Sequence, residues 1–230
     1  MKEKGQMLLA IDTATETAGL ALYDPTRGWI LGEESWNSAN RHTVELMPRL
    51  DRLLGQQGMA PADLTGLVVS LGPGSFTGLR IGMSVAKGLA LALQVPMVGI
   101  PTLDVVAQPH MIQSLPIWAI LRAGRGRICA AQYARGKMRW RRRGDYWLTT
   151  LAELCDEVKE PSFFCGELDA QEADEIRQRL GLEAFIASPA ASLRRPAFLA
   201  ELGWERLARG DTDKASTLSP IYLHNPQIDA

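Results

Sequence analysis

The sequence predicts an α/β protein made of two halves, each opened by a β-hairpin. Three observations carry that expectation. Residues 67–90 change hydrophobic period in mid-course, from a strand through a glycine turn to a helix. The strand–turn–strand pattern near the N-terminus returns after residue 117, which suggests an internal duplication. A chain of 230 residues with 46% hydrophobic content can bury one large core or two small ones.

In chain order, Met7 to Ile11, the polar stretch 12–17 and Ala18 to Tyr23 read as strand, turn and strand, with Trp29 to Trp36 as a third strand. Asp12 then stands where the first strand ends, followed by Thr13, Thr15 and Thr17. Such a turn can hold a phosphate or a magnesium ion, or its side chains can simply satisfy the turn's own backbone. Asn40 to Gln57 is helical in pattern, with Leu46, Met47, Leu50, Leu53 and Leu54 on one face. Pro48 lies within it, so the helix is expected to start just before Pro48 or to bend there. Gly58 to Asp63 reads as a loop.

Leu67 to Leu71 is a short β-branched run suited to a buried strand. Gly72, Pro73, Gly74 and Ser75 break it, and Ser75 or Thr77 can cap a helix that starts at Phe76. On that helix Gly78, Gly82, Ala86 and Ala90 recur every fourth residue and form a ridge with almost no side chain. A glycine turn feeding a helix N-terminus suits either an anion or close packing. The known phosphate loops do not fit. The Walker pattern needs Gly at 77 and Lys at 78, where the chain has Thr77 and Gly78, and the dinucleotide fingerprint needs Gly at 77.

Pro96 to Pro101 reads as a strand and Thr102 to about Gln108 as a helix. Pro101, Pro109 and Pro116 punctuate a boundary, giving an N-terminal subdomain over 1–104 and a C-terminal one over 105–230. In the second half, Ile117 to Leu121, Ile128 to Tyr133 and Lys137 to Trp147 read as strands. A basic turn over 122–127 joins the first two. Leu151 to Val158, Ala170 to Leu180 and Arg195 to Arg209 read as helices, Ser162 to Cys165 as a short strand, and 219–226 as a proline-rich tail crossing the surface.

The formal net charge of −1 provides no global attraction to nucleic acid or membranes. Cys129, Cys155 and Cys165 are odd in number and lack Cys-x-x-Cys spacing, against a disulfide framework or a zinc knuckle, so a reducing cytoplasm is the expected location. Asp12 interrupts the first apolar run too early for a signal peptide, and no stretch is expected to reach transmembrane length.

Taken together, residues 9–15, 41–48 and 72–82 and the tail Pro220 to Leu223 resemble the bacterial TsaB family, older name YeaZ. The string from Gly72 to Gly82 is the most specific part. The resemblance implies the fold of actin, Hsp70 and sugar kinases in two α/β halves. It also implies a dimerisation subunit of the machinery that makes threonylcarbamoyladenosine (t6A) in tRNA. Such a subunit supports the catalytic protein TsaD, which transfers threonylcarbamoyl to adenosine 37 of tRNAs reading codons that begin with A. The ATPase TsaE is a further implied partner, and a homodimer is the alternative state of the free chain. Family members often carry Asp-Ala-Arg at the second-half turn, where this chain has Arg122, Ala123 and Gly124, and an Arg where this chain has His224.

Residue chemistry agrees with a non-catalytic, accessory role. The catalytic relative holds metal with two histidines four apart, whereas His42 is followed at that spacing by Leu46, and His110 and His224 are solitary. No catalytic residue, cofactor or metal is therefore expected, and Asp12, Thr13, Gly72, Gly74 and Ser75 are candidates for a vestigial phosphate loop. The expected partner interface comprises His42, Leu46, Met47, Leu50, Leu54, Gly78, Gly82 and Ala86, whose helices would pair with two of a like-folded partner in a four-helix bundle. On this reading a bulky residue at Gly82 or Ala86 abolishes TsaD binding and spares the fold. The alternative is that both faces cover the chain's own sheet. A small ATP-dependent kinase, using Asp12 for magnesium and the glycine turn for phosphate, is the second reading, although residues 70–82 contain no carboxylate base. A third is tRNA contact within the complex through Arg122, Arg125, Arg127, Arg135, Lys137, Arg139 and Arg141 to Arg143.

Overall fold

The computed structural model describes residues 5–39, 41–137 and 139–223. The chain divides into two compact units, one running to Val105 and rejoined by Arg195–Ile221, the other taking Val106–Arg194. The segment 195–221, expected in the second half, thus belongs to the first.

The first unit is organised on β1 (Leu8–Asp12), which is buried at every position, as a strand covered on both faces must be. It pairs antiparallel with β2 (Thr17–Asp24), which pairs with β3 (Trp29–Asn37). On its other side β4 (Gly66–Gly72) runs parallel to it, and β5 (Met97–Pro101) parallel to β4. The strand order is β3-β2-β1-β4-β5. Helix α1 (His42–Gln56) and helix α2 (Phe76–Leu93) cover one face, where Leu46, Leu50, Leu53, Leu54, Ala86 and Ala90 pack with Leu9, Ile11, Leu20 and Val69. Each buried leucine contributes about 1.5–3 kcal/mol. Helix α1 starts six residues before Pro48 and carries it inside. Pro48 is exposed, so the hydrogen bond it cannot donate to Val44 is lost at the surface rather than in the core.

The short helix α3 (Thr102–Ala107) follows β5. The second unit then repeats the plan. The hairpin β6 (Ile117–Gly124) and β7 (Arg127–Arg135) is joined by β8 (Trp140–Thr149), and β9 (Ser162–Gly166) runs parallel to β6 on its other side. A final strand, β10 (Ala184–Ile186), which the sequence reading missed, pairs parallel with β9. Read from the third hairpin strand, the order is β8-β7-β6-β9-β10, element for element that of the first sheet. Helices α4 (Leu151–Glu157) and α5 (Ala170–Leu180) stand where α1 and α2 stand in the first unit. This correspondence establishes the duplication that residue identity could not.

Helix α6 (Pro196–Leu207) returns to the far face of the first sheet, where Leu199 and Ala200 pack on Ala10, Val68 and Ile100. It lies so close that a Cβ on Gly203 would overlap Val68. Arg195 pairs with Glu33, and Arg206 binds Asp211, Asp213 and the Gly99 carbonyl. These contacts explain why the segment leaves the half that precedes it in sequence.

Candidate functional site

The turn after β1 and the glycine turn after β4 are closed onto each other. Asp12 is buried, and its Oδ1 accepts from the Ala14 N–H at 3.0 Å, the short-range bond that shapes such turns. Thr13 donates its N–H to Ser70 Oγ and its hydroxyl to the Gly78 carbonyl at 2.8 Å. The Ser75 N–H donates to the Ala14 carbonyl at 2.6 Å, and Ser75 Oγ caps α2 by accepting from Gly78 N–H at 3.2 Å. Gly72 has φ of 101°, which a side chain rarely tolerates, and its N–H donates to Thr102 Oγ1. The tail is fixed here too, through Ile221 N–H to the Leu71 carbonyl.

The glycines face inward. A Cβ on Gly74 would overlap the Ala14 carbonyl oxygen, one on Gly78 the Thr13 carbonyl oxygen, and one on Gly82 the Thr13 hydroxyl. Of the two readings of the glycine turn, the geometry is that of close packing, with the chain's own Thr13 and Ala14 against it. The ridge Gly78, Gly82, Ala86 is likewise covered by its own turn and sheet, as are Leu46, Leu50 and Leu54. A bulky residue at Gly82 or Ala86 would strike the chain's own core first, which corrects the expectation that the fold would be spared. His42 is buried as well, and its Nε2 donates to the Thr15 carbonyl at 3.0 Å, tying α1 to the first turn.

What faces outward is a different set. Val44, Met47 and Phe76 are 67%, 47% and 53% exposed, and Ile81 and Val85 are half-buried beside them. Between α1 and α2, Met47, Phe76, Ile81 and Val85 line a groove of about 530 Å³ together with His42 and Leu46, and Arg80 at its edge stacks 3.6 Å from the Phe76 ring centroid. Further along α2, Ser84, Gly88 and Ala92 recur every fourth residue on the exposed face, and nothing lies within 4 Å of a Cβ on Gly88. Of the residues expected at a partner interface, His42, Leu46 and Met47 line this groove, whereas Leu50, Leu54, Gly78, Gly82 and Ala86 are buried against the chain's own sheet and turn. The signal available was that α2 is apolar on both sides. Contrary to expectation, its 18 residues at mean hydropathy 1.3 match a membrane span in length and composition. Those apolar residues are divided between the core and this outer groove.

Among the described residues no group of three His, Cys, Asp or Glu could hold a metal. His110 is buried beside Phe163, its rings 4.9 Å apart, and burial lowers its pKa against the opposing effect of a hydrogen bond the ring donates to the Ala191 backbone. His224 lies outside the described residues. All three cysteines are buried, and burial pushes the Cys129 thiol up to about 11. The basic strip is partly committed. Arg122 binds Asp169 at 2.5 Å and Glu172 at 2.7 Å, Arg143 pairs with Glu160, and Arg142 stacks on Tyr146, while Arg125, Arg135, Lys137, Arg139 and Arg141 are exposed.

Comparison with known proteins agrees with this architecture. A family model described as TsaD, tRNA N6-adenosine threonylcarbamoyltransferase, matches residues 33–160. The tRNA threonylcarbamoyladenosine biosynthesis protein TsaB of Bacillus subtilis is 33% identical over 226 residues, spanning 97% of this chain and 96% of that protein. Its namesake in Haemophilus influenzae is 27% identical, spanning 95% and 93%. YeaZ from Pseudomonas aeruginosa superposes with a TM-score of 0.76 at 26% identity, covering 95% of this chain and 100% of that one. With this identity along its whole length and the duplicated α/β topology, the chain belongs to the TsaB (YeaZ) family.

Proposed function

We propose that this chain acts in t6A biosynthesis as the non-catalytic partner of TsaD, which it engages through the outer faces of α1 and α2. The observation that carries the reading is the apolar groove between these helices, lined by Met47, Phe76, Ile81 and Val85, with exposed Val44 also on α1. An exposed apolar face of this kind needs protein cover. The matching α1–α2 pair of a like-folded subunit would close it as a four-helix bundle, the small residues Ser84 and Gly88 allowing close approach. The family's reaction, threonylcarbamoyl transfer to adenosine 37 of tRNAs reading ANN codons, then resides in TsaD, with TsaE as the ATPase of the same assembly. A homodimer through the same groove is the state expected when TsaD is absent. The kinase alternative is disfavoured by the occupation of the glycine turn by Thr13 and Ala14.

Size-exclusion chromatography with light scattering, on the chain alone and mixed with TsaD of the same organism, tests this. A stable heterodimer is expected. Met47→Asp should weaken it by about 2 kcal/mol or more, roughly thirtyfold, because a charge would enter a desolvated contact, while the melting temperature stays near that of the parent. Undiminished association of the Met47→Asp and Val44→Asp variants would overturn the proposed surface.

A further inference from the structure

A second cleft lies on the helix-covered face of the second sheet and uses none of the residues of the α1–α2 groove. Trp118 on β6 opposes Gln132 on β7, which opposes Arg143 on β8, so the three form one cross-strand row. From Ala130 to Gln132 β7 advances two residues while β8 advances four, around Gly144 at φ 71°. That bulge brings Trp147 to line the same cleft. Glu157, Lys159 and Glu160, at the end of α4 and just beyond it, form the other wall. The open cleft has a volume of about 430 Å³, within the range of roughly 300–1,000 Å³ usual for small-ligand sites.

Trp118 is only 8% exposed, and its indole Nε1 has no hydrogen-bond partner among the described residues. An indole nitrogen can only donate, and a buried donor without an acceptor is destabilising, so this wall calls for an acceptor. Gln132 adds an amide that both donates and accepts, and half-buried Trp147 offers a ring face. Arg143 pairs with Glu160 at 3.1 Å, and Lys159 is offset by Glu157. The cleft is thus near neutral, and a flat uncharged ring suits it better than a carboxylate or a phosphate. Exposed cations follow on β8 and the turn before it, at Arg141 and Arg139.

The geometry points to a binding site for the base of a nucleotide. Its ring stacks on Trp147, its acceptor edge meets Trp118 Nε1–H and the Gln132 amide, and its phosphate lies toward the exposed arginines. An aromatic face, an edge-reading amide and adjacent arginines are the parts by which unstacked nucleotides are held. The base belongs either to a free nucleotide or to a single-stranded stretch of RNA. The site shares no residue with the α1–α2 groove, so loss of either would leave the other standing.

The test follows the indole N–H resonances of the full chain by 15N NMR. The Trp118 signal is assigned by its loss in Trp118→Phe or by proximity to Gln132. AMP, GMP, CMP and UMP are titrated singly, then a mixed-sequence hexaribonucleotide, with ribose 5-phosphate as control. The Trp118 signal should move saturably with a nucleotide or with the hexamer, and Gln132→Ala and Trp147→Leu should each weaken that binding roughly tenfold with the other indole signals in place. A hexamer that binds at least tenfold tighter than any mononucleotide, and weakens as salt rises, identifies an RNA strand as the source. Equal affinities identify a free nucleotide. A Trp118 signal that stays still at millimolar ligand, moves equally with ribose 5-phosphate, or moves undiminished in both variants overturns the site.

Discussion

Helices α2 and α5 hold the same place in the two duplicated sheets, and they differ in what they show outward. Each follows a glycine of positive φ, Gly72 at 101° and Gly166 at 110°, and each is capped three residues later, by Ser75 and by Asp169. A Cβ on Gly166 would overlap the Ile120 carbonyl within β6, much as one on Gly74 would overlap the Ala14 carbonyl after β1. The inward constraint is therefore common to both units. Outward, α5 has 11 residues and carries ion pairs between Arg177 and Asp174 and between Arg179 and Glu175. Helix α2 has 18 residues and presents Phe76, Ile81, Val85 and Leu91. The sheet dictates the inner face of such a helix, and the partner, water or protein, dictates the outer one.

The comparison breaks first at the inner contact. Gly78→Ala places a methyl group against the Thr13 backbone, which cannot move without opening the turn. A loss of about 3 kcal/mol or more is expected, read as a fall in the denaturant midpoint. Gly82→Ala should cost less, because the Thr13 hydroxyl can rotate away and give up only its bond to the Gly78 carbonyl. Equal losses for the two variants would show that the turn yields as a unit. Next in size is the cap. Ser75→Ala removes the acceptor of the Gly78 N–H and should cost about 1 kcal/mol in chemical denaturation. On the outer face the sign reverses. Gly88→Ala meets nothing, so it should stabilise α2 by about 0.5–1 kcal/mol, and a fall in melting temperature would contradict the exposed placement of that face.

Much of this was legible from periodicity. The change from β-branched Leu67–Leu71 to the fourfold small residues after Phe76 gave the strand, the turn and the start of α2, because glycine and serine act locally through φ and capping. The duplication was visible only as a repeated hairpin, since topology survives changes that erase identity. The facing of the glycine ridge was not legible. A row of glycines signals close approach without saying to what, and only the fold brings Thr13 to Gly78 and Gly82 across a long stretch of sequence. The return of α6 to the first sheet was hidden for the same reason. β10 has three residues and no pattern long enough to read.

The smallest effect separates the two caps by their chemistry. Ser75 does not titrate, whereas Asp169 caps α5 fully only as a carboxylate, accepting from Glu172 N–H at 2.9 Å. That backbone bond lowers its pKa below the usual carboxylate value, with burial opposing and Arg122 assisting. A depressed folded pKa means stability that is present above the unfolded value of about 4 and lost as pH falls through the lower folded value. Asp169→Asn keeps a capping oxygen but no charge. The parent should therefore melt higher than this variant at neutral pH, and the gap should close on acidification below about pH 4. For Ser75→Ala the gap to the parent should stay constant over the same pH series. Parallel melting curves for parent and Asp169→Asn would show that the carboxylate contributes only as a hydrogen-bond acceptor, and the electrostatic part of the difference between the two helix starts would be lost.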